Sequence, residues 1–414
     1  MVRKEVEELR KTRGWVIVFG RRKVGKTFLL RNLTKWDVYI LVRRDLSIRS
    51  EEIKIESLDD LVNKVGEKLK VDDTVIIDEF QRLPMHILED LTQFHPRGRL
   101  ILSGSALGII KKIFGPSSPL LGFFTPIRIS LISPRDILST LSKKYDPVRA
   151  VELSAYLRDP WLIPLYGGEE LNEFVYRYTC RYWQVVKALL GEVFTEEERT
   201  LTRTYEAILS LIGSGKWQPK DIANILYTRG ILKEPSSSAI AGYLKNLMEM
   251  DLIESTKIYG SKRKFYRIKS PIMENFYYME SRYEVTERET SFEELEPTLN
   301  KLVHLEVERL IADLFAEIMG GRREYMLRPE VDFIVTVRGK PKAVGEVKWG
   351  NYSKKDLKNF LNKTETIPGE KLFITRKKGE TFNGIKILDA KDLVNMISPK
   401  NKVDENPKKN IVKH

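Results

Sequence analysis

Residues 20–27 read Gly20-Arg21-Arg22-Lys23-Val24-Gly25-Lys26-Thr27 and complete the pattern G-x-x-x-x-G-K-[ST]. The apolar run at residues 15–19 predicts a buried strand before the pattern, and residues 28–33, which begin with Phe28, predict a helix after it. Backbone N–H groups in such a turn, together with the helix dipole, favour bound anions. Residues 20–28 are therefore predicted to hold ATP. Lys26 is expected to reach the β- and γ-phosphates, and the Thr27 hydroxyl to ligate Mg²⁺.

A second, acidic motif ends another apolar segment. Residues 73–81 read Asp-Thr-Val-Ile-Ile-Asp-Glu-Phe-Gln, which is the Walker B pattern. Asp78 is predicted to hold the Mg²⁺ shell, mostly through water, and Glu79 to orient or deprotonate the attacking water. The next strand, at residues 99–105, ends in Ser103 and Ser105. Either serine could sense the γ-phosphate, because ligands bind beyond the carboxyl ends of parallel strands. An ordinary turn serine is the alternative.

Bulk properties exclude several classes of protein. The chain of 414 residues is 42% hydrophobic and 31% charged, with a net charge of +13, which favours a polyanionic partner such as DNA. A solvated cationic surface is the alternative. No apolar run reaches the ~18 residues of a transmembrane helix, and residues 1–5 carry no signal-peptide core. Cys180 is the only cysteine, which fits a cytoplasmic setting.

Strands and helices alternate through the first third of the chain. With a further strand at residues 127–131, this alternation predicts a parallel α/β sheet covered on both faces. The P-loop, the Ile77–Gln81 segment and the Leu102–Ser105 segment resemble the P-loop ATPases found predominantly in archaea, which are AAA+-related and STAND-like. The resemblance implies that Glu79 is the catalytic glutamate, and that a helical lid and a winged helix follow the sheet.

The chain departs from that family at two places. Family members often carry an arginine after the glycine that matches Gly122, whereas Phe123 follows here. Arg128 or Arg135 are candidates to replace an arginine finger. Residues 159–168 are similar to the family's Gly-x-Pro lid motif, which packs near adenine. Pro164 is the matching proline, but Leu162 stands where glycine is usual, and a plain helix–helix loop is the alternative.

Residues 205–268 predict three helices and a basic hairpin, which is the layout of a winged helix. The third helix, at residues 236–247, is where bases would be read, and the hairpin turn carries Lys262, Arg263 and Lys264, which suit phosphate contact. Winged helices also serve as protein-contact modules, so contact with another protein is the alternative to contact with DNA.

The last hundred residues carry a set of the form D…E-x-K. Two strands are predicted around Gly339, with Asp332 on the first and with Glu346 and Lys348 on one face of the second. Two carboxylates can hold Mg²⁺, and an adjacent lysine can activate water or steady a phosphate. The set resembles the PD-(D/E)xK nuclease superfamily. That resemblance implies catalytic roles for these three residues and adds Glu306 to the metal ligands.

The predicted organisation has six parts. They are a P-loop core (1–132), a lid (133–200), a winged helix (201–280), a linker (281–297), a nuclease-like α/β domain of the restriction-endonuclease type (298–397) and a polar tail (398–414). The function predicted is an Mg²⁺-dependent ATPase that acts on DNA, with an endonuclease site and the potential to form a homo-oligomer. One alternative is an ATP-dependent regulatory switch that contacts proteins, and another is a DNA-binding module with a purely structural nucleotide.

Overall fold

The computed structural model describes residues 3–105, 107–197, 199–377, 379 and 381–398. The predicted polar tail therefore lies outside the described residues, except for Ser398. No helix within these ranges combines the length and the apolar character that a membrane crossing requires.

A six-stranded sheet forms the N-terminal part, which we call the P-loop unit (residues 3–131). Its strands are β1 (Trp15–Phe19), β2 (Val38–Val42), β3 (Ile48–Arg49), β4 (Thr74–Asp78), β5 (Arg99–Gly104) and β6 (Phe124–Arg128). Their order is β3-β2-β4-β5-β1-β6, and all neighbours are parallel except β2 and β3. The last strand begins three residues earlier than predicted, because Phe124 pairs with Trp15 at the start of β1.

Helices cover both faces of this sheet. They are α1 (Lys4–Lys11), α2 (Lys26–Leu33), α3 (Leu58–Lys70), α4 (Met85–Leu91) and α5 (Leu107–Ile113). Side chains of β1 alternate between two cores: Trp15 and Ile17 enter one, and Val16 and Val18 the other. Burial on both faces explains the uninterrupted apolar runs of these strands, and the predicted parallel α/β sheet is confirmed.

Helices dominate the next part of the chain. The lid contains α6 (Pro134–Leu141), α7 (Pro147–Leu157), a 3₁₀ helix (Pro160–Leu165), α8 (Leu171–Tyr176), a π-helical turn (Arg177–Arg181) and α9 (Trp183–Glu196). The following unit contains α10 (Arg203–Gly213), α11 (Pro219–Thr228), α12 (Ser237–Glu249), the antiparallel hairpin β7 (Ile253–Lys257) and β8 (Lys264–Ile268), and α13 (Pro271–Tyr283).

A second α/β unit ends the described chain. Its elements are α14 (Phe292–Ile318), β9 (Arg322–Leu327), β10 (Glu330–Val337), β11 (Lys340–Lys348), α15 (Lys354–Thr364), β12 (Glu370–Thr375), β13 (Lys386–Leu388) and α16 (Ala390–Ile397). The strand order is β13-β12-β11-β10-β9. Strands β9, β10 and β11 are antiparallel, whereas β11, β12 and β13 are parallel.

One hydrophobic core runs through the lid, the hairpin unit and the second α/β unit. Phe174 of α8, Phe276 of α13 and Phe315 of α14 are all fully buried in it. The divisions predicted after residues 200 and 297 therefore do not separate independent cores. We call residues 132–398 the C-terminal body.

The predicted linker at residues 281–297 is wrong. Helix α13 extends to Tyr283, and α14 begins at Phe292. Val285, between the two helices, and Leu295, within α14, are buried in the shared core. The charge density that suggested a linker belongs to the exposed faces of these elements, while the apolar residues among the charges are buried.

Candidate nucleotide site

The P-loop connects β1 to α2 in a conformation that its two glycines permit. A Cβ atom at Gly20 would lie 1.9 Å from the carbonyl oxygen of Ile129, so the loop packs against backbone there. Gly25 caps α2 in the left-handed region, at φ 87°. Lys26 begins the helix, and its buried Nζ donates hydrogen bonds to the carbonyl oxygens of Gly20, at 2.8 Å, and Arg21, at 3.1 Å. The lysine head therefore lies within the turn where phosphates are predicted to bind.

The two motifs meet at the carboxyl ends of β1 and β4. Thr27 Oγ1 donates to Asp78 Oδ2 at 2.8 Å, and the Glu79 backbone N–H donates to Asp78 Oδ1 at 3.1 Å. Parallel pairing of β4 with β2 and β5 places Asp78 beside Leu41 and Ser103. The predicted proximity of Thr27 and Asp78 is thus present.

Glu79 follows β4 in the left-handed region, at φ 60°. Its Oε2 accepts a hydrogen bond from Gln81 Nε2 at 2.9 Å and pairs with Arg82 Nη2 at 2.9 Å. Arg82 also donates to the Val42 carbonyl at 2.7 Å, so it ties the glutamate to β2. A strained backbone supported by side-chain contacts is typical of functional sites.

The structure separates the two serines proposed as sensors. Ser103 is fully buried within β5 and is not among the cavity-lining residues, and its contact with the cofactor stays a prediction. Ser105, two residues later, lines the cavity and accepts a hydrogen bond from Gln81 at 3.1 Å. Gln81 therefore links Ser105 to Glu79.

A cavity of about 710 Å³ lies between the P-loop and the lid. Its polar lining residues are Arg3, Arg22, Lys23, Lys26, Thr27, Glu79, Arg82, Ser105 and Thr140. Its apolar lining residues are Phe28, Leu41, Ile137, Leu141, Leu157, Pro160, Ile163 and Pro164. The volume is within the range of small-molecule sites, and a lining of both charged and apolar side chains suits a nucleotide.

Part of the lid segment lines this cavity, and its contact with adenine stays a prediction. Pro164 is a lining residue, whereas Leu162, where glycine is usual in the family, is fully buried in the core of the C-terminal body. The segment is a 3₁₀ helix rather than an open loop. Phe28, 55% exposed, and Ile163, 39% exposed, are available on the wall of the cavity.

The basic residues of the P-loop have different surroundings. Arg21 is buried, and its Nη2 contacts both carboxylate oxygens of Asp159, at 2.9 and 3.1 Å. Arg22 pairs with Glu192 of α9 at 2.7 Å, and Lys23 is exposed. Val24 is fully buried. Arg21 and Arg22 thus connect the loop to the lid, which the sequence could not decide.

The two arginines proposed to replace a finger do not line the cavity. Arg128 pairs with Asp251 at 2.8 Å, and Arg135 is exposed on α6. Arg82 and Arg3 line the cavity instead. Arg3 donates to the carbonyl of Val24 at 2.9 Å. Neither Arg82 nor Arg3 was predicted from the sequence as a residue of the site. The position of Arg82, three residues after Glu79, could have indicated it.

Comparison with known proteins agrees with this site. Residues 12–128 match the family model described as an AAA domain. The matched segment contains the P-loop, the acidic end of β4 and most of the six-stranded sheet, so this part of the chain is similar to an AAA domain. No curated protein matches the chain at a significant level.

Solved structures with similarity to the chain include three archaeal proteins. The Walker-type ATPase of Pyrococcus abyssi is 20% identical, with 66% of this chain and 93% of that chain covered and a TM-score of 0.47. The ORC2 protein of Aeropyrum pernix, in ADPNP–ADP complexes, is 16% identical, with 75% and 94% covered and a TM-score of 0.38. The ORC1 protein of Aeropyrum pernix, in complex with DNA, is 14% identical, with 70% and 95% covered and a TM-score of 0.30.

A second cluster of charged residues lies on β10 and β11. Phe333 pairs with Gly345, so Asp332 and Glu346 are neighbours across the two strands. Asp332 Oδ2 accepts the Val347 N–H at 2.6 Å. Glu346 pairs with Lys348 at 3.1 Å and with Lys363 at 2.5 Å. The predicted set is therefore brought together, and Lys363 is an addition that the sequence did not suggest.

Glu306 is not part of this cluster, and its predicted role as a metal ligand is wrong. Its buried carboxylate pairs with Arg267 at 2.9 Å and with Arg309 at 3.4 Å. Glu308 faces the cluster instead. Burial and the charge of Asp332 raise the pKa of Glu308 to about 8, and burial and the charge of Glu346 raise the pKa of Asp332 to about 6.

Helix geometry explains why Glu308, and not Glu306, faces the cluster. Residues two apart lie on different sides of a helix, whereas residues four apart share a face. Glu308 shares a face of α14 with His304, and both line a cleft of about 490 Å³ that includes Lys348. Across the described ranges, no group of three or more His, Cys, Asp or Glu residues is arranged to hold a metal ion.

Proposed function

We propose that this protein is an Mg²⁺-dependent ATPase of the AAA type that uses ATP to reposition a DNA-contacting C-terminal body. The observation that carries the proposal is the cavity between the P-loop and the lid. Its lining combines Lys26, Thr27 and Glu79 with apolar side chains that include Pro164. Phosphates would bind at the helix N-terminus beside Lys26 and Thr27, and the base would contact apolar side chains.

The donor set at the meeting of the two motifs fits Mg²⁺. Thr27 and Asp78 supply a hydroxyl and a carboxylate 2.8 Å apart, and Mg²⁺ in nucleotide sites uses one or two such groups together with phosphates and water. Bound Mg²⁺ supplies charge neutralisation at the β- and γ-phosphates. Lys26 adds positive charge, and Glu79, at the cavity, orients the attacking water and accepts its proton.

Contacts between the P-loop unit and the C-terminal body support the coupling of ATP to movement. Several ion pairs between described residues cross this boundary with the cation in the P-loop unit. The pairs are Lys4–Glu317, Arg21–Asp159, Arg22–Glu192, Lys111–Glu249 and Arg128–Asp251. Arg22 lines the cavity, so an ATP anion there would compete with Glu192 for its guanidinium, weaken this contact and favour reorientation.

The shared core makes the lid an extension of the whole C-terminal body. The lid helix α7 packs on α14, and Trp349, at the end of β11, donates to Glu152 of α7 at 2.9 Å. The hairpin joins the second sheet, because the Tyr259 N–H donates to the Tyr325 carbonyl of β9 at 2.7 Å. A change of lid angle would therefore carry the hairpin and the second α/β unit with it.

The hairpin unit supplies the surface for DNA. Three helices followed by an antiparallel hairpin support its interpretation as a winged helix. Lys262, Arg263 and Lys264 are exposed at the hairpin turn, as is Lys245 on α12. Ser236 caps α12, and Tyr243 packs on Tyr205, so these two residues of the third helix have structural roles. Ser237 and Ser238 are exposed at the start of α12.

ATP hydrolysis by three forms of the protein tests the enzymatic part of the proposal. Lys26→Ala is expected to lose nucleotide binding, because its ammonium group is removed from the phosphate turn. Glu79→Gln is expected to keep binding and to lose roughly 10²–10⁴-fold in turnover, the usual contribution of a general base. Wild-type turnover in Glu79→Gln would show that Glu79 is not the base and would contradict the assignment.

Addition of duplex DNA tests the coupling. We expect DNA to stimulate hydrolysis, with binding that weakens steeply as salt rises, because phosphate contacts release counterions. DNA binding that does not depend on salt would instead favour the regulatory switch, in which the hairpin unit contacts proteins.

The cleft on the second sheet favours a second candidate function, the cleavage of DNA. Asp332, Glu346, Glu308 and Lys348 together offer carboxylates and an ammonium group, the residue types that promote attack of water on a phosphodiester. Incubation of supercoiled plasmid with Mg²⁺ and ATP should give nicked product with the wild type and none with Asp332→Ala. Absence of product with the wild type under all metal and nucleotide conditions would refute cleavage.

A further inference from the structure

A tyrosine on the neighbouring strand contacts the Walker B aspartate. Tyr39 of β2 is 3% exposed, and its hydroxyl donates to Asp78 Oδ2 at 2.5 Å. Its ring is held between elements near the P-loop helix: the Arg31 guanidinium lies 4.5 Å from the ring centre, and the Trp36 ring lies 5.5 Å away. The tyrosine therefore connects the outer face of α2 with the carboxyl end of β4.

Three hydrogen bonds orient the Asp78 carboxylate. Oδ2 accepts from Tyr39 and from Thr27, and Oδ1 accepts from the Glu79 N–H. The hydrogen bond from Thr27 to Asp78 is expected to weaken when Thr27 ligates a cation, because the hydroxyl oxygen then also binds the cation. Tyr39 does not line the cavity, so its contact can persist when nucleotide binds.

The Tyr39 hydroxyl is suited to a permanent donor role. A phenol is a neutral hydrogen-bond donor at physiological pH, because its ordinary pKa is about 10. A neutral donor leaves the negative charge of Asp78 in place, whereas a lysine or arginine at this position would neutralise it. The carboxylate thus stays available to hold a cation shell.

We propose that Tyr39 is a positioning residue of the magnesium site, which holds the Asp78 carboxylate in the orientation required for the Mg²⁺ shell. The inference rests on the proposed ATPase function and adds to it a residue that neither motif contains. Partners that orient metal-holding groups commonly change metal affinity by about 10–100-fold when removed. If the hydrogen bond were purely structural, its removal would change the free energy of unfolding and leave metal affinity unchanged.

The test compares Tyr39→Phe with Tyr156→Phe. Both substitutions remove one hydroxyl from a buried ring, and Tyr156, whose hydroxyl accepts from Asn275 at 2.6 Å, lies in the core of the C-terminal body. Tyr39→Phe retains the ring under Arg31. Mn²⁺ bound in the presence of a non-hydrolysable ATP analogue is measured by electron paramagnetic resonance, and analogue binding is measured separately in EDTA.

We expect Tyr39→Phe to weaken Mn²⁺ binding by about 10–100-fold and to leave analogue binding in EDTA unchanged, whereas Tyr156→Phe leaves both unchanged. The Mg²⁺ concentration for half-maximal hydrolysis should rise in parallel. Mn²⁺ affinity of Tyr39→Phe within about twofold of the wild type would overturn the role of Tyr39 alone. Absence of analogue binding by the wild type would overturn the proposed ATPase function itself.

Discussion

The buried contact between Arg21 and Asp159 offers the sharpest test of how the P-loop is anchored. Asp159→Asn keeps the shape of the side chain but removes the charge that the Arg21 guanidinium contacts at 2.9 and 3.1 Å. Only 1% of the Arg21 side chain and 0% of the Asp159 side chain are exposed, so water cannot replace the lost partner. The other neighbour of the guanidinium is the Met273 sulfur, at 3.7 Å, which is a weak acceptor.

The expected loss follows from this burial. An unpaired buried charge costs about 3–5 kcal/mol in the free energy of unfolding. At an m-value of about 3 kcal/mol/M, the urea midpoint would fall by at least about 1 M. The double substitution Arg21→Met with Asp159→Leu leaves no buried charge, so it should recover most of the loss. Asp159→Asn should also weaken ATP binding, because the loop loses its attachment to the lid.

Urea unfolding followed by circular dichroism measures the free energy of unfolding of each variant. Arg22→Met is the matched control, because Arg22 is the adjacent loop arginine and also pairs with a lid carboxylate, Glu192. That pair is 24% and 39% exposed, so its loss should cost below about 1 kcal/mol. A loss in Asp159→Asn no greater than in Arg22→Met, or a double variant as unstable as the single one, would refute the reasoning. Tighter ATP binding by Asp159→Asn would indicate that Arg21 serves the phosphates.

Three further predictions concern the sensor serine, the hairpin and the second cleft. Ser105→Ala should lower ATP turnover by roughly 10-fold, because Gln81, which contacts Glu79, loses its hydrogen bond to Ser105. Ser103→Ala should leave turnover unchanged. Equal effects of the two substitutions in steady-state assays would contradict the assignment. Replacement of Lys262, Arg263 and Lys264 by alanine should reduce the slope of log affinity for duplex DNA against log salt by about 3, and an unchanged slope in a salt titration would remove these residues from the DNA contact. Because the Glu308 pKa is raised from 4.5 to about 8 by burial and by Asp332, the folded state binds the extra proton. The stability that this proton provides is complete below pH 4.5 and is lost as pH rises through about 8, so the urea midpoint should fall over this range. Glu308→Gln should abolish the fall. A fall of the same size in the variant would assign it to other groups.

Features that are contiguous in the chain could be predicted well. The P-loop and the Ile77–Gln81 segment each contain their own strand, turn and functional groups, so their spacing alone predicts the geometry. The parallel sheet followed from the alternation of apolar strands and helices. The hairpin around Gly339 followed from two apolar runs separated by a turn, and it brings Asp332 and Glu346 together.

Features that depend on the direction of a side chain were predicted less well. Ser103 and Ser105 are both buried and two residues apart, but only Ser105 follows the end of β5 and lines the cavity. Glu306 and Glu308 are two residues apart on one helix, and the face that meets β10 decides between them. Neither choice can be made until the neighbouring element is in place.

The sequence by itself determined the P-loop and the acidic end of β4, because short-range spacing encodes both. The tertiary structure alone decided what the surrounding residues do. Arg21 pairs with Asp159, and Tyr39 contacts Asp78, across separations of 138 and 39 residues. The tertiary structure also decided that the lid, the hairpin unit and the second α/β unit share one core. The physical reason is that burial and charge pairing depend on distances in space, which only the packing of distant segments sets.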